Sequence, residues 1–154
     1  NFGYDRALNT GFEEAHALNS EVILTFDADG QHSARLIGEF LSAIDDGADV
    51  VIGIRNRKGR ITESIFAWIT TKIWGISDPQ CGMKAYRAHV YQKLGHFDSY
   101  NSIGTELCIY AAKQKFRIIQ IPFQVQERTD HPRFGTMVKA NFKILRAAIL
   151  CMLR

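Results

Sequence analysis

Two short runs, residues 21–26 (EVILTF) and 49–54 (DVVIGI), are aliphatic and β-branched almost throughout, and each follows a segment with apolar residues at helical spacing. Runs this short and this apolar read as strands buried on both faces. Ahead of the first, Ala7, Leu8, Gly11, Phe12, Ala15 and Leu18 recur at one-turn spacing, which predicts a helix from Tyr4 to Leu18 ended by Asn19 and Ser20. Between the runs, Leu36, Ile37, Phe40, Leu41 and Ile44 mark a second helix, with Ser33 as its expected cap and Gly47 as its stop. Helix–strand–helix–strand in about 50 residues predicts an α/β domain with a mostly parallel sheet and flanking helices.

The rest of the chain continues this grammar. A basic loop at residues 55–60 (RNRKGR) leads into a helix over 61–75, and the cluster SDPQCG at 77–82 reads as a turn. A short strand is expected at 83–87, helices at 88–94, 104–115 and 137–154, and a strand at 117–125 whose Pro122 marks an edge or an end. The 154 residues suit one domain, with neither repeat nor linker. Nineteen basic against 16 acidic residues give +3, too mild a charge to imply nucleic acid. Cysteines 81, 108 and 151 form neither a disulfide framework nor a zinc spacing, which points to a reducing compartment. No apolar run approaches the ~18 residues of a membrane span.

The first strand runs directly into Asp27-Ala28-Asp29-Gly30-Gln31-His32. Ligands of open α/β sheets gather at the carboxyl ends of strands. Neighbouring carboxylates repel unless they share a cation or a proton. This oxygen-rich cluster suits a hard divalent ion, Mg²⁺ or Mn²⁺, that keeps positions open for phosphate. A solvated Asp-Gly turn is the plainer alternative. A phosphatase of the haloacid-dehalogenase type, with Asp27 as nucleophile and Asp29 as general acid, is another. That motif continues with Thr or Val where Gln31 stands, and the only adjacent aspartate pair, Asp45-Asp46, lies at a helix end.

Six strings in one order carry a stronger signal: NFGYDRALNTG from Asn1, then ILTFDADGQH, GADVVIGIR, DPQCGMKAYR, GTELCIYAAK and IPFQVQERTDHPRFG. Together they resemble the family 2 glycosyltransferases of the GT-A fold, in the branch of dolichol-phosphate mannosyltransferase and bacterial polyprenyl-phosphate glycosyltransferases. The resemblance implies a nucleotide-binding α/β sandwich that moves a sugar, with inversion, from a nucleotide-diphosphate donor to an acceptor. It places the metal on Asp27, Asp29 and Gln31, where the ion neutralises the departing diphosphate. It places an acceptor phosphate on Arg55, Arg60, Ser64 and Arg128; guanidinium groups match phosphate oxygens. A solvated basic loop is the alternative for the arginines at 55–60.

An ionised phosphate acceptor needs no general base, whereas a hydroxyl acceptor does. For that role Glu106 and then Asp78 are the candidates, beside Asp29 as the catalytic member of the metal motif. A dipole-favoured helix start explains Glu106 equally well, and a turn-forming residue Asp78. Arg6, near a helix N-terminus, is placed to approach the donor diphosphate together with Asp27. Cys81 is not proposed as a nucleophile.

Residues 137–154 (MVKANFKILRAAILCMLR) form a basic amphipathic pattern with Lys139, Lys143, Arg146 and Arg154 near one face. Such a helix can lie on an anionic membrane. The expected setting is therefore cytoplasmic, peripheral at the inner face of the membrane. The resemblance also marks what is not found: the family's opening strand and its Asp-Asp string. The chain is read as residues 1–136 of a GT-A domain lacking those nucleoside-binding strands, followed by the helix at 137–154, with an exposed sheet edge or apolar face as the consequence. A non-catalytic GT-A-like binding module stays open beside the enzyme.

Overall fold

The computed structural model describes residues 3–27, 30, 32–56, 60–125 and 137–153, with side chains from 141 onward in the last helix. Six helices and four strands alternate among them: α1 (Tyr4–Ala17), β1 (Val22–Thr25), α2 (Leu36–Asp45), β2 (Val50–Arg55), α3 (Ile61–Trp74), β3 (Lys84–Arg87), α4 (Ala88–Leu94), α5 (Glu106–Lys113), β4 (Ile118–Phe123) and α6 (Met137–Leu153). The strands lie in the order β1-β3-β2-β4. β3 is antiparallel to both β1 and β2, while β2 and β4 are parallel. Three strands thus point one way, but the sheet is mixed in its pairing, not mostly parallel as expected. The reason is the path after β2: α3 and the turn at 77–83 return the chain to the carboxyl end of β2, so β3 enters between β1 and β2 in the opposite direction. β4 is an edge strand, as Pro122 requires.

Alternation along the strands builds two cores, one on each face of the sheet. Val50, Ile52, Ile23 and Tyr86 face α1, α3, α4, α5 and α6, where Phe12 stacks on Phe97 at 4.5 Å between ring centres. Val51, Met83, Ala85 and Phe123 face Phe40 and Ile44 of α2. Phe12 is 1% exposed, and burying a side chain of that size stabilises a fold by about 1.5–3 kcal/mol. α2 starts later than Ser33 suggests: no side chain caps it, and the Ser33 hydroxyl instead accepts the Arg35 N–H at 3.4 Å.

α6 is part of the main core through Ile144, Ala147, Ala148 and Cys151. It packs beside α3, and Thr62 donates to Asn141 across the seam at 2.9 Å. Lys113 donates to the Cys151 carbonyl and sits over Trp74, so the two helices run in the same direction. No helix among the described residues is long and apolar enough to cross a membrane.

Candidate active site

Asp27, Arg55 and the SDPQCG turn meet at the carboxyl ends of β1 and β2. The Thr25 hydroxyl, at the end of β1, donates to the Gly82 carbonyl at 2.7 Å and accepts the Lys84 N–H at 3.2 Å. This double contact staples β1 to the turn and delivers Asp27 over Gly82. A Cβ at Gly82 would overlap the Asp27 carboxylate, so only glycine lets the two segments approach this closely. Asp27 is half-buried and accepts no hydrogen bond among the described residues. A carboxylate left in that state, beside Gly82 backbone, fits a cation-holding role. Asp29 and Gln31, the other expected metal ligands, lie outside the described residues.

Arg55 closes β2 and forks onto Asp78. Its backbone N–H, Nε and Nη2 donate to the Asp78 carboxylate at 3.1, 2.8 and 2.9 Å. The Asp78 side chain is 2% exposed and that of Arg55 19%. Burial works against the Arg55 charge, but the hydrogen bonds and charge of Asp78, then the charge of Glu63, outweigh it and hold the guanidinium still more firmly protonated. Asp78 is therefore the counter-ion of Arg55, with both oxygens occupied. Arg60 reaches the same cluster through Glu63, whose two oxygens accept Arg55 Nη2 at 3.3 Å and Arg60 Nη1 at 3.2 Å. Ser64, one turn on, is exposed, its hydroxyl 3.5 Å from the Arg60 carbonyl. Arg128 lies outside the described residues; the strand that leads toward it is tied to this end of β2, where Val125 N–H donates to Asn56 at 3.1 Å.

The turn is held from behind by Gln120 of β4, which accepts the Ser77 N–H at 2.7 Å and donates to the Gly75 carbonyl at 2.8 Å. Cys81 is buried within it. Burial and the neighbouring Asp78 charge push its thiol up to about 11, so it stays protonated and unreactive at neutral pH. Tyr4, at the start of α1, faces the cluster. Burial, then the charges of Asp27 and Asp5, raise its hydroxyl above the ordinary tyrosine range.

Glu106 stands apart from this cluster. It begins α5, where the Ser102 hydroxyl accepts its N–H at 2.9 Å. Its carboxylate accepts the Ser99 N–H and hydroxyl and lies 2.9 Å from His96 Nε2. These contacts fix the loop 97–105, in which Asn101 and Ile103 are both left-handed. Left-handed backbone at a β-branched residue such as Ile103 costs about 1–2 kcal/mol. Asp98 offsets that strain by accepting the Tyr100, Ser102 and Gly104 N–H groups at 2.8–3.3 Å. Asp5 meets it from α1, accepting the Gly104 N–H at 3.1 Å, and burial followed by the proximity of Asp98 raises the Asp5 carboxyl to about 7. Arg6 lines a recess on this side with Asp5, Asn9, Asp98, Ser99 and Asn101.

The structure thus joins Asp27, Asp78, Arg55 and Arg60 and keeps Glu106 and Arg6 in a second group. Sequence reasoning missed Glu63 and Gly82. The Arg60–Glu63 spacing of one helical turn was a usable signal for the first. Nothing local marked the second.

Comparison with known proteins adds the lineage. Residues 1–102 match the family described as glycosyl transferase family 2. A UDP-N-acetylglucosamine–dolichyl-phosphate N-acetylglucosaminyltransferase of Methanococcus voltae is 28% identical over 94% of this chain and 63% of its own. A dolichyl-phosphate hexose transferase of Haloferax volcanii is 29% identical over 73% of this chain and 53% of its own. The chain spans just over half to under two thirds of these two relatives. Among solved structures, glucosyl-3-phosphoglycerate synthase from Mycobacterium tuberculosis, in complex with Mn²⁺, UDP-glucose and glycerol 3-phosphate, superposes with a TM-score of 0.69 at 15% identity, covering 99% of this chain and 55% of that one.

Proposed function

We propose, for a chain that belongs to glycosyl transferase family 2 and carries its GT-A fold, the inverting transfer of a sugar from a nucleotide-diphosphate donor to a polyprenyl phosphate. The observation that carries the acceptor class is the state of the two candidate bases. Asp78 has both oxygens committed to Arg55, and Glu106 is held by Ser99 and His96. Neither stands ready to take a proton from a hydroxyl, whereas a phosphate arrives ionised and needs no base. The names of the dolichyl-phosphate relatives support the same class.

Asp27, with Asp29 and Gln31, would hold Mg²⁺ or Mn²⁺, which supplies charge neutralisation for the diphosphate leaving group. This chain's own residues do the rest. Arg55, held in a fixed orientation by Asp78, and Arg60 present guanidinium groups to the incoming phosphate, with Ser64 beside them and Arg128 as a further contact. Gly82 keeps Asp27 in its place under the donor. Arg6 lies in the second group, with Asp5 and Asp98, and its donor-diphosphate role rests on the family resemblance alone. Glu106 positions the loop 97–105 and is not needed as a base.

The test is calorimetric titration of the chain with nucleotide sugars, with and without Mn²⁺. Metal-dependent binding is expected, lost in Asp29→Ala. Binding indifferent to both metal and Asp29 would remove the donor assignment and favour a non-catalytic module.

The exposed faces of α3 and α6 support a lipid-facing role. Ile61, Ile65 and Trp68 form one ridge, and Phe142, Leu145, Ile149 and Met152 another on the adjoining helix, each at least 43% exposed. Lys72, Lys143 and Arg146 are the exposed charges among the described side chains of these helices, and the only acid, Glu63, is buried in the arginine cluster. An apolar face carrying only positive charge fits an anionic membrane surface. Arg146, expected on the basic face, is instead committed to the Tyr100 carbonyl at 2.7 Å. Flotation with anionic liposomes is expected, and to be lost in Trp68→Glu/Phe142→Glu; equal flotation of both proteins would refute this face.

A further inference from the structure

Glu63 is surplus to the positioning of Arg55. Asp78 already grips Arg55 through three donors, at 2.8, 2.9 and 3.1 Å, from a site 1% exposed. Glu63 adds one longer bond to the same Nη2 at 3.3 Å, and its other oxygen draws in Arg60 at 3.2 Å. Its carboxylate therefore lies between two guanidinium groups, 8% exposed, in the first turn of α3. Two oxygens of one anion bridging two arginines is also the contact pattern of a bound phosphate.

We propose that Glu63 is a placeholder anion: it occupies the position between Arg55 and Arg60 that the acceptor's phosphate takes, and the phosphate displaces it from Arg60 while Asp78 keeps Arg55 in place. This rests on the polyprenyl-phosphate reading above. The consequence concerns charge. A phosphate monoester carries close to two negative charges at neutral pH. Once its oxygen bonds the sugar it becomes a diester with one. A dianion competes well against a carboxylate for the arginines, and a monoanion competes poorly. Glu63 then favours entry of the acceptor and exit of the product at one locus. It is a positioning residue that acts through Arg60.

The experiment is titration of the full chain with a short isoprenyl phosphate monoester, its methyl diester and the free alcohol. The wild type is expected to prefer the monoester. In Glu63→Gln both esters are expected to tighten by about three- to tenfold, the scale of one partly buried charge pair, because neither then has an anion to displace. Glu63→Asp, which keeps the charge, should retain the wild-type affinities. A merely structural role would weaken both esters, and that result overturns the proposal. Should Glu63→Gln not fold, Arg60→Gln replaces it: loss of monoester affinity with the diester little changed is expected, and equal loss of both refutes the exchange. If the wild type binds neither ester, the acceptor reading itself fails, and the placeholder role with it. If the wild type binds the monoester and Glu63→Gln binds it no more tightly, only the placeholder role falls.

Discussion

Asp78→Ala is expected to lower the unfolding free energy by about 3 kcal/mol, the lower end of the range for removing one partner of a buried ion pair. The loss has a specific source. Arg55 would keep its charge, 19% exposed, while losing the acceptor of its Nε, one Nη2 bond and its backbone N–H. Glu63 remains on the same guanidinium, which is why the lower end applies. A urea titration monitored by tryptophan fluorescence measures it. The second half of the test is Asp78→Ala with Arg55→Met: removing the stranded charge should recover a large part of the loss. A single-variant cost below about 1 kcal/mol would mean that the pair is far better hydrated than its burial indicates.

Gly82→Ala is expected to reduce metal-dependent donor affinity by about 10- to 100-fold, the range seen when the support of a metal ligand is disturbed. The added methyl would overlap the carboxylate of Asp27. Asp27 cannot retreat by moving its backbone, because Thr25 two residues earlier is bonded to both Gly82 and Lys84. It must rotate away and give up the metal-side position. The steric insertion should also cost about 1–3 kcal/mol of stability. Gly11→Ala is the control: nothing lies within 4 Å of a Cβ there, in the exposed interior of α1. That variant should keep full donor affinity and gain up to about 1 kcal/mol of stability. Equal calorimetric isotherms for Gly82→Ala and wild type, with Mn²⁺ present, would refute the Gly82–Asp27 dependence.

Much of the fold was legible because it is written locally. The helix at Tyr4–Ala17, the buried strand at Val50–Arg55 and the short helix at Ala88–Leu94 follow from spacing and from turn residues at their ends. The direction of β3 was not legible. Its residues would suit either orientation, and the choice depends on where the turn at 77–83 can place the chain. The start of α2 was also misread. Ser33 has the right chemistry for a cap, but the backbone turns at residues 33–35 before the helix begins.

The sequence by itself determined the kind of chemistry. An oxygen-rich turn after a buried strand, and arginines after the next, suit a cation and a phosphate as the proposed partners. Tertiary structure alone decided how these groups are paired. Asp78 and Arg55 stand 23 residues apart and Thr25 and Gly82 57 apart, and both pairs meet because two turns converge at one end of the sheet. Such contacts leave no periodic trace, since they follow from strand order and from the room a missing Cβ provides. The same pairing takes Asp78 out of the list of bases and makes it the anchor of an arginine.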